Sequence, residues 1–159
     1  MKKFYDKLVK TRHHLHQYPE LSGQEYETTA FLSRYLQDLG IKILDSGLET
    51  GLIAEIGQGE PVIALRADIN ALPILEQTGL PYASQNPGVM HACGHDFHQT
   101  SLLGAAELLK AMEEDLQGTI RLIFQPAEET SQGASQVLAT GLLDDVVAII
   151  GFHNMPQLK

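Results

Sequence analysis

Short apolar runs are what most constrain this chain. Val62-Ile63-Ala64-Leu65 and Val146-Val147-Ala148-Ile149-Ile150 carry no polar alternation, and Thr119–Gln125 reads as a third core strand. A strand with one face in water alternates, whereas a strand covered on both faces does not. Longer segments with helical spacing separate these runs, which predicts α/β architecture with a central, mainly mixed β-sheet flanked by helices.

Residues 1–18 read as an amphipathic helix with a stripe of Phe4, Leu8 and Leu15 widened by Tyr5 and Val9, stopped by Pro19. His13, His14 and His16 near its end read as a solvated helix terminus. Ser22 and Glu25 have capping-box spacing ahead of a second helix, 25–39, whose buried side is Thr28, Leu32, Tyr35, Leu36 and Leu39. Strands are expected at 41–44, 52–56 and 62–65. Gly57-Gln58-Gly59 suggests a hairpin between the last two. Residues 74–90 read as a long loop, and such loops are usually functional. A helix from 96 to 112, capped by Asp96, and a short one from 133 to 140 complete the chain.

The polar residues that follow the core strands draw attention, because working groups in α/β sheets gather at strand carboxyl ends. Asp68 follows Val62-Ile63-Ala64-Leu65, Glu128 and Glu129 follow the 119–125 strand, and His153 follows Val146-Val147-Ala148-Ile149-Ile150. Between the first two lies His91-Ala92-Cys93-Gly94-His95-Asp96-Phe97-His98, with the only cysteine and three of the seven histidines. Thiolate, imidazole and carboxylate are the side chains that bind divalent metals. Cys93 and His95 sit two apart, so both can reach one ion. The octapeptide alone also fits a buried structural thiol near surface histidines, and His98 either faces the site or packs on the sheet. Mixed Cys, His and Glu donors with spare carboxylates point to a hydrolytic centre rather than a closed structural one. Of Glu128 and Glu129, one can bind metal while the other leans over a water. A solvated acidic turn is the plain alternative, and the position after an apolar strand and Pro126 favours chemistry.

The chain has 159 residues, 43% hydrophobic and 19% charged, with net charge −9 and pI about 5.1. This acidity argues against nucleic acid or anionic membrane as partner. One cysteine forms no internal disulfide, which fits a reducing compartment, and no window has the length of a membrane span. A cytoplasmic protein is expected.

The sequence resembles the M20 metallopeptidase family, within it the amidohydrolase branch of hippurate hydrolases, N-acyl-L-amino acid amidohydrolases and indoleacetyl-amino acid hydrolases. The residues that carry the resemblance are His16-Gln17-Tyr18-Pro19-Glu20-Leu21-Ser22, Arg66-Ala67-Asp68 with Ala71-Leu72-Pro73-Ile74, Met90 to Asp96, Phe124 to Glu129, and Gly151-Phe152-His153. They recur in the family's order over nearly the whole chain.

The resemblance implies a zinc-exopeptidase-like catalytic domain and a site for two divalent metal ions, zinc or manganese, with cobalt or nickel as alternatives. By position, Cys93, His95, Glu129 and His153 would be metal ligands and Glu128 the general base. Asp68 would orient a ligand. Asn70 stands where this branch often has aspartate. The substrate would be a small N-acyl amino acid or peptide, and the full-length parent a homodimer. The family's fifth ligand, a histidine, and its lid and dimerisation domain lie in a longer chain, so residues 1–159 are expected to be the N-terminal portion of a catalytic domain. Alone, this portion is expected to be inactive. The alternative is a truncated remnant that only binds metal or a protein partner.

Overall fold

The computed structural model describes residues 2–155; Met1 and residues 156–159 lie outside the described residues. In chain order the elements are α1 (Lys2–Gln17), α2 (Tyr26–Asp38), β1 (Lys42–Ile43), β2 (Leu52–Gln58), β3 (Val62–Asp68) and α3 (His95–Ala111). A 3-10 turn (Glu113–Asp115), β4 (Gly118–Gln125), α4 (Gly133–Ala139) and β5 (Val146–Gly151) follow.

The five strands form one mixed sheet in the order β1-β2-β4-β3-β5. β3 runs parallel to both β4 and β5, while β2 is antiparallel to β4 and β1 to β2. The expected hairpin between β2 and β3 is absent, because β4 lies between them. Leu122, Ile123 and Phe124 of β4 are completely buried. A strand with both faces covered needs a neighbour on each edge to satisfy its backbone, and β2 and β3 supply those edges. The glycine turn widens to admit it: Thr119 N donates to Pro61 O at 3.0 Å and its hydroxyl to Gly59 O at 2.8 Å.

Two apolar layers explain the missing polar alternation. Leu52, Ala54 and Ile56 of β2 with Leu122 and Phe124 of β4 meet α2 and α3, through Leu32, Leu36, Leu102, Leu103 and Ala106. The intervening Ile53, Ala64 and Ile123 turn to the other face and meet Val137 of α4. Arg121 is the charged residue of β4. It pairs with Asp145 at 2.6 Å and Glu55 at 3.2 Å. β5 departs from the expected covered strand, since it is an edge on which Val147, Ile149 and Ile150 are more than half exposed.

Both expected caps are corrected. Glu20, not Ser22, serves the first turn of α2: its carboxylate accepts from Glu27 N at 3.2 Å and Thr28 N at 2.8 Å. Glu25 turns inward instead. α3 starts at His95 behind Gly94, and Asp96 lies buried in its first turn. The histidines of α1 also depart from a solvated helix end, because His16 is buried and His13 stacks on Tyr82 with ring centroids 3.7 Å apart.

Leu36 has no exposed surface where α2 meets the sheet. Leu36→Ala in the full-length protein is expected to cost roughly 2–5 kcal/mol, because lost burial and a residual cavity add. Urea unfolding with an unchanged slope and a lower midpoint checks this.

Candidate metal centre

Parallel pairing aligns the carboxyl ends of three strands. Asp68 of β3 is in register with Gln125 of β4, and Arg66 with Gly151 of β5. Residues that follow β4 and β5 therefore emerge beside Asp68 on one edge of the sheet, as the strand-end argument predicts. The amino end of α3 arrives at the same edge. Gly94 takes φ +85, and a Cβ there would sit 2.3 Å from the Asn154 side chain. Only glycine permits both the left-handed backbone and this approach.

Cys93 Sγ lies 3.3 Å from His153 Nε2. His95 Nε2 lies 3.8 Å from Glu128 Oε2 and 3.9 Å from Glu129 Oε1. The donor atoms of Cys93, His95 and His153 fall within 4.8 Å of one another, as do those of His95, Glu128 and Glu129, and those of Asp68, His95 and His98. His95 belongs to all three groups and is the hub of the cluster.

The imidazoles are held in the ligand tautomer. His95 Nδ1–H donates to the Asn70 carbonyl at 2.7 Å, and His153 Nδ1–H to the Asn154 carbonyl at 2.8 Å. A proton fixed on Nδ1 leaves the Nε2 lone pair free, and both Nε2 atoms point into the cluster. Burial lowers the pKa of His95, which favours the neutral ring. The Cys93 thiol is pushed up to about 11 by burial, then by its hydrogen bond to Glu129 and the charges of Glu129, Glu128 and Asp68. A cation among these groups would reverse that balance, since thiolates form readily beside one. Buried His95 Nε2 and His98 Nδ1 have no hydrogen-bond partner, and buried polar atoms left so are costly. The donor set and these unpaired atoms fit divalent metal.

Neighbouring residues in regular structure diverge, yet Glu128 and Glu129 both approach His95. The turn after β4 is irregular: Ala127 takes φ 50 and Ser131 φ 58. The Ala127 carbonyl accepts from Gln132 N and Gly133 N. A Cβ on Gly133 would lie 1.6 Å from the Pro126 carbonyl, so the turn closes only over glycine. The two acids are not equivalent. Glu129 is the acid with the larger effect on the Cys93 thiol, and its side chain is 27% exposed against 37% for Glu128.

Asp68 is buried and accepts from Arg66 Nη1 at 2.9 Å. Its nearest histidine is His98, at 3.7 Å, and the atom that orients His95 is the Asn70 carbonyl. Asn70 does double service, since its side-chain Oδ1 also accepts from Glu128 N at 2.9 Å. Backbone acceptors of this kind leave no mark in a sequence pattern. His98 is completely buried and lies 2.6 Å from the Asn154 side chain, so it both packs on the sheet and borders the cluster.

The sequence profile of peptidase family M20/M25/M40 matches residues 64–159. The chain belongs to this family. Among M20 relatives, it is 58% identical over 153 residues to N-acetyl-L-cysteine deacetylase of Bacillus subtilis (strain 168), covering 95% of this chain and 37% of that protein. It is 46% identical over 151 residues to IAA-amino acid hydrolase ILR1-like 5 of Arabidopsis thaliana, covering 94% of this chain and 35% of that protein. The crystal structure of the Bacillus subtilis YXEP protein, a dinuclear metal binding peptidase of the M20 family, superposes with a TM-score of 0.96 at 54% identity. It covers 99% of this chain and 45% of that one. The chain thus spans about two fifths of the length of these M20 relatives. Among the described residues, no helix is long and apolar enough to cross a membrane.

Proposed function

We propose that this chain forms the N-terminal portion of the catalytic domain of a metal-dependent amidohydrolase that cleaves the amide bond of N-acyl amino acids. The observation that carries the reading is the convergence of two histidine Nε2 atoms, both freed by Nδ1–H bonds to backbone carbonyls, with a thiol and two carboxylates. The names of the M20 relatives, deacetylase and amino acid hydrolase, agree with this chemistry.

Cys93, His95, Glu129 and His153 would hold two divalent ions, zinc or manganese, with cobalt or nickel as alternatives. Bound metal polarises a carbonyl and lowers the pKa of water towards about 7. Glu128 takes the proton of the attacking water and returns it to the leaving amine. Its greater exposure suits a group that must reach solvent and substrate. Asn70 holds His95 and the Glu128 backbone in one frame, and Asp68 backs the cluster beside His98. The same reading puts the protein in the cytoplasm, where its lone thiol stays reduced. Its partner would be a small N-acyl amino acid or peptide, and the full-length protein a homodimer, as the resemblance implies.

Metal analysis of the purified full-length protein, paired with a hydrolysis screen over N-acetyl, N-benzoyl and N-indoleacetyl amino acids, tests this. Bound divalent metal, turnover of at least one substrate, and loss of both with a chelator are expected. A protein that takes up neither zinc nor manganese, or whose hydrolysis survives chelation, would overturn the reading.

A further inference from the structure

We infer that Glu25 is a positioning residue for the turn that presents Glu128 and Glu129. The inference rests on the amidohydrolase reading for its kinetic consequence, though not for its geometry. Glu25 has no exposed surface. Its two carboxylate oxygens have separate partners: one accepts from Ala127 N at 2.8 Å, the other from the Thr50 hydroxyl at 2.8 Å. The backbone of Glu25 is tied as well, because its carbonyl accepts the Thr29 hydroxyl at 2.6 Å. Thr29 Oγ1 in turn accepts from Gly51 N at 2.8 Å.

What Glu25 grips is the strained point of the site. Ala127 holds φ 50, a conformation that a residue with a Cβ occupies at a cost and keeps only when its surroundings over-determine it. Ala127 N is anchored by Glu25, and the next amide, Glu128 N, by Asn70 Oδ1. Two consecutive N–H groups are thus fixed by buried side chains from two distant segments, and the pair of acids follows immediately. If Ala127 relaxed to negative φ, the turn would redirect both acidic side chains and their shared approach to His95 would be lost. Catalytic groups tolerate little such movement, since a misplacement of about 1 Å can cost roughly 10²-fold in rate.

Four variants of the full-length protein test this. Glu25→Ala should lower kcat by roughly 10²-fold with KM within about threefold of the parent. Glu25→Gln keeps an acceptor for the Ala127 amide and a donor for Thr50, and should stay within about fivefold of the parent. Ala127→Gly added to Glu25→Ala should recover at least about tenfold, because glycine takes positive φ without penalty. Glu25→Met, similar in length but without an acceptor, replaces alanine should the alanine variant fail to fold. Hydrogen exchange gives a readout independent of turnover: the Ala127 and Glu128 amides should lose protection in Glu25→Ala or Glu25→Met and keep it in Glu25→Gln. If the parent hydrolyses no N-acyl amino acid while this exchange pattern holds, the functional reading fails and the clamp stands. Unchanged protection at Ala127, or a rate loss that Ala127→Gly does not relieve, overturns the clamp.

Discussion

Glu128→Gln in the full-length protein is expected to lower kcat by roughly 10²–10⁴-fold, the usual contribution of a general acid–base group, with metal content close to the parent's. The expectation follows from how the two adjacent acids differ. Glu129 Oε1 is 3.9 Å from His95 Nε2 and its carboxylate helps to raise the pKa of the Cys93 thiol, so it sits among the donors. Glu128 reaches His95 at 3.8 Å and is the more exposed of the pair. Glutamine preserves its size and leaves the bond from the Glu128 amide to Asn70 intact, but a carboxamide cannot take up a proton at neutral pH. Steady-state kinetics beside metal analysis of the same preparation separate the roles. A variant that keeps most of its rate rules Glu128 out as the base. One that loses its metal exchanges the roles of Glu128 and Glu129.

Much of this architecture is legible in the residues because each level of structure repeats the same signal. Val62-Ile63-Ala64-Leu65 runs apolar without alternation because both faces of the sheet are covered, with Leu65 against one layer and Ala64 in the other, and that pattern alone predicts a central strand. The groups of the cluster could be picked out for a related reason: Asp68, Glu128, Glu129 and His153 each follow a strand, and parallel pairing sends those ends to one edge. The hairpin misled because Gly57-Gln58-Gly59 permits a tight turn and a wide one equally, and only the long-range demand of β4 for two neighbours selects the wide one. Capping misled at Ser22 because Glu20 is nearer the free amides in space. Asn70 and Glu25 stayed hidden because their partners are backbone amides some 58 and 102 residues away. Sequence patterns report local geometry and burial; contacts of that span depend on the finished fold.

His16 offers the sharpest test of a contact missed in this way. It lies buried between two carboxylates, with Nδ1 2.9 Å from Asp96 Oδ2 and Nε2 3.1 Å from Glu76 Oε1. It therefore ties α1 to the 74–90 loop and to the first turn of α3, one residue past His95. The hydrogen bond to Asp96 raises the His16 pKa, against burial and with help from Glu76. Burial works against ionised Asp96, yet the bond from His16 and the charges of His91 and Arg12 hold its pKa below the ordinary value. Glu76 is likewise lowered despite burial, by Thr78, Ser84 and His16. Because the folded pKa of His16 is raised, its stabilisation is complete below the ordinary value of 6.5 and is lost as pH climbs through the higher folded value. The carboxylates have lowered folded values, so their part is present above the ordinary 3.8 and 4.5 and is lost as pH falls through the folded ones. The network should then contribute most between about 4.5 and 6.5. His16→Leu is expected to cost roughly 3 kcal/mol there, the lower end for breaking a buried ion pair, since Asp96 keeps partly exposed Arg12 and Glu76 keeps Thr78 and Ser84. Urea unfolding of the full-length parent and variant across pH 4 to 9 measures the difference. It should narrow above the His16 transition, and a gap that stays constant through that range would show that His16 acts by packing rather than by charge.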